Sequence, residues 1–400
     1  MPRFRLARMF ASVALAMTSV SLLVVLASPV SAGSRATPPI GTLLNELKGS
    51  GTVAGDAVGV SVAISGSVAL VGAPGYAKDV GRVYVFSDTA TGWKQSGELK
   101  GSGVVSGDFF GYSVGISGTT VVAGAPGYAK NTGRAYMFAK TTAGWKQTGE
   151  VKGADTAAGD YFGESVGISG ATAVVGGDGH TKSAGRAYVF NDTSSGWKQT
   201  AELKGTDTVA NDGFGYSVAI SGTSAIVGEP DHAKDAGRAY VFSNAASGWR
   251  QVAELKGSDT VADDGFGVSV AISGATAIAG APGFSKQAGR AYVFGDSGGL
   301  WRQTAELKGS DTASSDDFGY TVGVSGTAAI AGAPGDAKDA GRAYVFTGTG
   351  AHWSQAAELK GSDTVAGDYF GYSVAVSGTT AVTGADGHAK STGRAYVFEA

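Results

Sequence analysis

Asp108-Phe109-Phe110-Gly111-Tyr112-Ser113-Val114-Gly115-Ile116-Ser117-Gly118, continued by Thr119 to Pro126, is the stretch whose reading decides the fold. It joins a Phe-Gly pair to Gly124-Ala125-Pro126 through two apolar runs broken by Ser117-Gly118. In the first run large residues (Phe110, Tyr112, Val114, Ile116) alternate with small ones (Gly111, Ser113, Gly115, Ser117). Period 2 means a strand with one bulky and one nearly bare face. Ser117-Gly118 is a turn signal, and Thr119 to Ala123 is short, β-branched and apolar, as expected of a strand buried on both faces. A bulky face opposite a bare one is what stacked sheets need, because the large residues of one fill the room left by the next.

The stretch recurs. Gly-Arg-x-Tyr-x-Phe begins at Gly81, Gly133, Gly185, Gly237, Gly289, Gly341 and Gly393, each step being 52 residues. Tryptophan keeps that step from Trp93 through Trp145, Trp197, Trp249 and Trp301 to Trp353. A period near 50 with four strand signals per unit predicts an all-β fold, a seven-bladed β-propeller of four-stranded antiparallel blades. In the second copy the strands are expected at about 110–117, 120–125, 134–138 and 145–151. The fourth strand alternates cleanly, with Trp197, Gln199, Ala201 and Leu203 against Lys198, Thr200, Glu202 and Lys204. Its charges suit an outermost strand with a free edge. The tryptophans, in phase with the apolar set, should point into the blade.

The phase of the repeat predicts how the ring closes. The first copy opens with a lone fourth-strand equivalent near Asn45-Glu46-Leu47, and the last copy stops at Phe398, just after its third strand. Residues 41–47 should therefore pair with 393–398 and complete the last blade, leaving no open array edge.

Residues 1–32 read as a signal peptide: Arg3, Arg5 and Arg8, an apolar stretch Met9 to Ala27, then Val30-Ser31-Ala32. Residues 33–40 read as a flexible lead-in and 41–400 as the propeller. Losing that segment removes three arginines and no acids, which takes the formal charge from −3 to −6. A mildly acidic, evenly charged chain argues against nucleic-acid binding. No cysteine is present, which excludes disulfides, thiol catalysis and thiolate zinc sites. After the signal segment no stretch is apolar enough to span a membrane as a helix. The mature chain is expected to be secreted and monomeric.

Phe-Gly followed by Gly-Ala-Pro at this spacing resembles the FG-GAP repeat of integrin α-subunit propellers and many secreted bacterial proteins. The resemblance covers residues 41–400. The copies vary, with Val58-Gly59 in the first, and Gly176-Gly177-Asp178, Gly228-Glu229-Pro230 and Gly384-Ala385-Asp386 in place of the triplet. A kelch propeller has a similar period, but its Gly-Gly pair is missing. Integrin-like repeats often carry a calcium loop between strands 1 and 2. Here that link is Ser-Gly-Thr or a close variant, too short and without carboxylates. No metal or other cofactor is expected.

Two charged rings recur in every copy: Asp56, Asp108, Asp160, Asp212, Asp264, Asp316 and Asp368, and Arg82, Arg134, Arg186, Arg238, Arg290, Arg342 and Arg394. Residues present in every blade should hold neighbouring blades, each Arg hydrogen-bonding the crossing loop. No nucleophile elbow, phosphate loop or dinucleotide fingerprint occurs, so no catalytic residue is assigned. Function is expected on one ring of varied residues after the Gly-Ala-Pro region, Tyr76, Tyr128, His180, His232, Phe284, Asp336 and His388. The resemblance implies that this strand 2–3 loop shares a ligand-binding face with the strand 4–1 loop. Aromatics beside the lysine ring (Lys78 to Lys390) could stack on sugars or anchor a protein partner. The reading is a non-catalytic binding or adhesion module for a protein or glycan. Two alternatives remain open: a glycan-active enzyme using Glu164, Glu229, Asp336 and Asp386, and a lectin with one pocket per blade.

Overall fold

The computed structural model describes residues 37–400. The expected signal peptide and the start of the lead-in lie outside the described residues. From Leu43 onward the chain forms seven four-stranded antiparallel sheets, each ordered from an inner to an outer strand. In the second blade these strands are Val114–Ser117, Thr120–Ala125, Arg134–Thr141 and Gly144–Val151. Inner strands of successive blades touch, and the contact between the inner strands of the first and seventh blades closes the ring. The seven-bladed propeller expected from the repeat is thus the observed fold.

The seventh blade is completed from the other end of the chain. Leu43–Leu47 lies antiparallel to Arg394–Glu399, with Asn45 opposite Val397, Glu46 opposite Tyr396 and Leu47 opposite Ala395. Gly41 N–H also donates to the Glu399 carbonyl at 2.7 Å.

The inner strand is shorter than its alternation suggests. Only Val114–Ser117 is strand, while Phe110 to Ser113 forms a turn held to the preceding blade by a parallel bridge between Gly81 and Phe110. Gly111 breaks the pleat at φ +85°, so Phe110 and Tyr112 leave in different directions. Phe110 is fully buried, edge-on to Tyr136 at 5.4 Å and Phe138 at 6.0 Å, whereas Tyr112 is 37% exposed. The Phe-Gly and Gly-Ala-Pro elements meet across blades. A Cβ on Gly124 would lie 1.9 Å from the Gly163 carbonyl of the next blade, and that carbonyl accepts the Ser113 hydroxyl at 2.7 Å.

The core is a set of inter-blade layers. Leu70, Val83, Val85 and Leu99 of the first blade pack on Phe110, Val121, Ala123, Tyr136 and Phe138 of the second. Trp93 and Trp301 are buried, and Trp145, Trp197, Trp249 and Trp353 are half-buried against these layers. Tryptophan here supports the stack.

The strand 2–3 loop holds a feature that the sequence does not announce. Ala77, Lys78 and Asp79 have φ of 54°, 61° and 67°, a turn of left-handed helix without glycine, and the other six blades repeat it. Such residues cost about 1–2 kcal/mol each. The turn aims carbonyls at the next blade: Asp79 O accepts Gly107 N–H and Phe109 N–H, at 3.1 and 2.9 Å. At ring closure Ser391 O accepts Gly55 N–H and Ala57 N–H in the same way.

Candidate functional site: the loop face and the channel mouth

Each aspartate of the repeated ring closes its own loop. Asp108 Oδ2 accepts Val105 N–H at 2.7 Å, and the six equivalents do likewise. The arginines depart from expectation. Arg82, Arg134, Arg186, Arg238, Arg290 and Arg342 pair with a glutamate of the outer strand of their own blade, as Arg186 does with Glu202 at 2.7 Å. The reason is register, since Tyr188 lies opposite Glu202 on the adjacent strand and brings that carboxylate beside the arginine. Only Arg394 reaches the crossing loop, at Asp363, while also meeting Glu46 of the closing strand. The crossing-loop acid serves instead the buried third-strand tyrosine: Tyr188 donates to Asp155 at 2.9 Å, and Tyr240, Tyr292, Tyr344 and Tyr396 have equivalent partners.

The varied ring of the strand 2–3 loop is packed more deeply than an open rim. His180, Asp336 and His388 are buried, and Tyr76, Tyr128, His232 and Phe284 are half-buried. Where the residue is aromatic, the arginine stacks on it, with Arg82 over Tyr76 and Arg134 over Tyr128 at 4.2 Å, and Arg290 over Phe284 at 4.4 Å. Those stacked arginines leave Nε without a partner and reach glutamate through a terminal nitrogen. Where the residue is His180, His232 or Asp336, Nε makes the glutamate bond and a terminal nitrogen donates to the glycine before it. The histidines turn inward. His180 and His388 place Nδ1 at 2.9 Å from Asp160 and Asp368.

In the fourth blade a buried glutamate joins the histidine. Glu229 is fully buried, accepts from the Thr208 hydroxyl, lies 2.6 Å from the Tyr240 hydroxyl, and has His232 Nδ1 at 3.3 Å. Tyr240 has one proton to give and also contacts Asp207 at 2.9 Å, so a protonated Glu229 completes the set. Burial, followed by the Asp212 charge, pushes the Glu229 carboxyl up to about 7 against the bonds from Thr208 and Tyr240. Asp212, Glu229 and His232 bring three ligand-type atoms within 4.8 Å of one another, a grouping within one blade that the sequence reading, looking across blades, did not foresee. Each of those atoms is already engaged in the hydrogen bonds just described, Asp212 Oδ2 also accepting Val209 N–H at 2.8 Å.

The four acids named for an enzyme reading do not converge on one site. Glu229 and Asp336 are buried against Tyr240 and Tyr344 under separate loops. Glu164 stands instead at the mouth of the axial channel, beside residues the sequence reading left as strand filler, while the Asp386 charge acts on Tyr372 of the same ring. That mouth is ringed by Val60, Tyr112, Glu164, Tyr216, Val268, Tyr320 and Tyr372, enclosing about 240 Å³. The Tyr320 and Tyr372 rings lie 5.2 Å apart, tilted by 42°. Burial, followed by the Asp178 charge, holds the Glu164 carboxyl well above the usual carboxylate range, and burial raises Asp178 as well. Burial likewise lifts Asp386 to about 6, against the backbone N–H groups of Asp386 and Gly387. Phe109, Tyr112, Tyr161, Glu164, Pro126 and Asn131 line a second recess of about 200 Å³, which shares Tyr112 and Glu164 with the first. The Tyr112 ring position was legible as a repeat column with one acidic exception, but its direction depends on the break at Gly111.

Seven segments, 43–86, 93–138, 145–190, 197–242, 249–294, 301–346 and 353–398, match the model of the FG-GAP repeat. Each segment runs from the outer strand of one blade through the third strand of the next. No curated protein matches by sequence. Among solved structures the chain is similar to Sqt1 of Saccharomyces cerevisiae, at 11% identity and a TM-score of 0.48, over 90% of this chain and 99% of that one. With four-fifths of its length in matched repeats and a seven-bladed propeller built from them, the chain belongs to the FG-GAP repeat family.

Proposed function

We propose that this chain is a secreted, monomeric binding or adhesion module that takes a protein partner on the face formed by its strand 2–3 and strand 4–1 loops. The observation that carries this reading is the concentration of exposed apolar side chains on that face. Phe109, Tyr161 and Tyr369 occupy one repeat position at 37–41% exposure, and Val53, Val105, Val209, Val261 and Val365 occupy another at 61–64%. Phe109 and Tyr161 also line the second recess, and exposed aromatics beside a recess are what a docking surface offers. The packed ring Tyr76, Tyr128, His180, His232, Phe284, Asp336 and His388 lies beneath those loops and, in this reading, sets their height and the edges of the face. No helix among the described residues is long and apolar enough to cross a membrane. The basic, then apolar, then Val-Ser-Ala start of the chain supports export.

The test is a screen of the mature protein against surface proteins and glycans, repeated with a Phe109→Ala, Tyr161→Ala, Tyr369→Ala triple variant. Capture of a protein partner, lost in the triple variant at unchanged melting temperature, is the expected result. A partner held equally well by the triple variant, or capture of glycans alone, would overturn the reading.

A further inference from the structure

We propose that the channel mouth is a receptor for a single alkylammonium group, the lysine side chain of a protein partner, held by the Glu164–Asp178 pair within the ring of Tyr112, Tyr216, Tyr320 and Tyr372. This deepens the reading of the loop face as a docking surface and rests on it. Four observations support it.

The recess is small. At about 240 Å³ it falls below the roughly 300–1,000 Å³ of sites that enclose a whole ligand, and it suits one side chain. Its mouth carries four tyrosines, next to rings of serine or threonine and of valine, and a cation within about 6 Å of such tyrosine faces is attracted by their quadrupoles.

Its charge is uncompensated. The lining contains Glu164 and no lysine, arginine or histidine. The groups coupled to Glu164 and its neighbours are Asp178 of the same blade, Tyr112, Tyr216 and Asp231 of the flanking blades, and Tyr320, Tyr372 and Asp386 further round the channel. None of these is a cation. Burial and the Asp178 charge hold the Glu164 carboxyl above the usual carboxylate range, so it keeps its proton at neutral pH.

The fourth observation is unused acceptor capacity. Oδ1 of Asp178 and Oδ1 of Asp386 are buried without a hydrogen-bond partner. Both aspartates stand where other copies have proline, at Pro74, Pro126, Pro230, Pro282 and Pro334, so the departure is confined to blades three and seven. An ammonium offers three donors and a full positive charge.

Binding would therefore release the proton that the raised Glu164 carboxyl holds. The ammonium favours the charged carboxylates, so a proton leaves as the cation enters, and affinity rises with pH until the amine itself begins to lose its proton. The second recess, lined by Phe109, Pro126, Asn131 and Tyr161, would hold the residue next to that lysine.

The probe is N-acetyl-lysine methylamide, titrated calorimetrically into the mature chain, with the norleucine analogue as its neutral counterpart. Two variants restore what sibling blades already carry and so should fold: Glu164→Tyr, as in Tyr112, and Asp178→Pro, as in Pro126. We expect the lysine derivative to bind, the norleucine analogue not to, and each variant to weaken binding by about thirtyfold or more. The dissociation constant should fall between about pH 6 and about pH 8, with heats that depend on the buffer's ionisation enthalpy, because a proton is released. Equal binding of the norleucine analogue, or undiminished binding by Glu164→Tyr, overturns the proposal. Preference for a glucosamine oligomer over the lysine derivative overturns the protein source. If the lysine derivative fails while the aromatic triple variant still abolishes partner capture, only this inference falls. If the lysine derivative binds through Glu164 while the triple variant captures normally, the docking reading falls and the receptor stands.

Discussion

The two ends of the inner-strand barrel follow opposite rules. At the hairpin end, one hydrogen bond is repeated in every blade: the serine before each hairpin accepts the hairpin glycine N–H of the next blade. Seven such bonds of 3.0–3.2 Å run round the ring, from Ser65–Gly118 to the closing Ser377–Gly66. At the loop end the equivalent ring is Val60, Tyr112, Glu164, Tyr216, Val268, Tyr320 and Tyr372, and behind it proline gives way to Asp178 and Asp386. Uniformity serves closure, which every blade must make. Variation serves whatever the ring meets only once.

That comparison breaks most severely if the ring is opened. Deleting residues 38–48 removes the strand that pairs with Arg394–Glu399 and takes Glu46 from Arg394. It exposes a third strand that is otherwise covered, a template for other chains. We expect a fall in melting temperature on the order of ten degrees or more, with self-association in size-exclusion chromatography. Unchanged melting and an unchanged elution volume would show that the other six blades hold the ring alone.

Next in size is the shared core. Phe162 is fully buried against Tyr188 and Phe190, and Phe162→Ala should cost about 3–5 kcal/mol in denaturant unfolding. Phe162→Val should cost less, because the first blade already closes on Val58 at this position. Equal losses would mean that Val58 is tolerated for a reason other than fit.

Glu229 breaks the loop-end pattern inside the core, and it should be felt through pH. Its carboxyl ionises near 4.5 when exposed and near 7 when folded. Between those values the unfolded chain has released the proton and the folded chain retains it, so stability falls as pH rises. The loss is on the order of 3 kcal/mol and is complete above the folded value. Glu229→Ala, the residue of Ala125 and Ala281, should flatten this slope and be relatively more stable above pH 7 than below 4.5. A slope unchanged by the substitution would assign it to other carboxyls.

How far the sequence could be read follows the same division. The 52-residue step, the strand count and the split last blade all express periodicity, which pattern records directly. The left-handed turn at Ala77–Asp79 left no mark, because ordinary residues adopt it under the pull of carbonyl acceptors in the next blade. The partner of Arg186 was missed because it depends on register between strands rather than on which charges recur. Of the loop end, the varied columns were visible but their directions were not. His180 and His388 point inward to aspartates, and Tyr112 points to the channel only because Gly111 breaks the pleat.

The finest test sets two copies of one tyrosine against each other. Tyr188 and Tyr136 hold the same place in the third strand, both fully buried. Tyr188 donates to Asp155 at 2.9 Å, but in the second blade Gly103 stands where Asp155 would be, and the Tyr136 hydroxyl has no partner among the described residues. Removing a satisfied hydroxyl loses its bond and strands part of an acceptor, at about 1 kcal/mol. Removing an unsatisfied one loses nothing and ends a desolvation cost. Tyr188→Phe should therefore lower the unfolding free energy by about 1 kcal/mol, while Tyr136→Phe should leave it unchanged or raise it slightly. Both rings keep their aromatic contacts with Phe162 and Phe110, so packing cancels in the comparison. If the two substitutions cost the same, the crossing-loop aspartate contributes nothing to holding its blade, and its recurrence from Asp155 to Asp363 would need a cause outside stability.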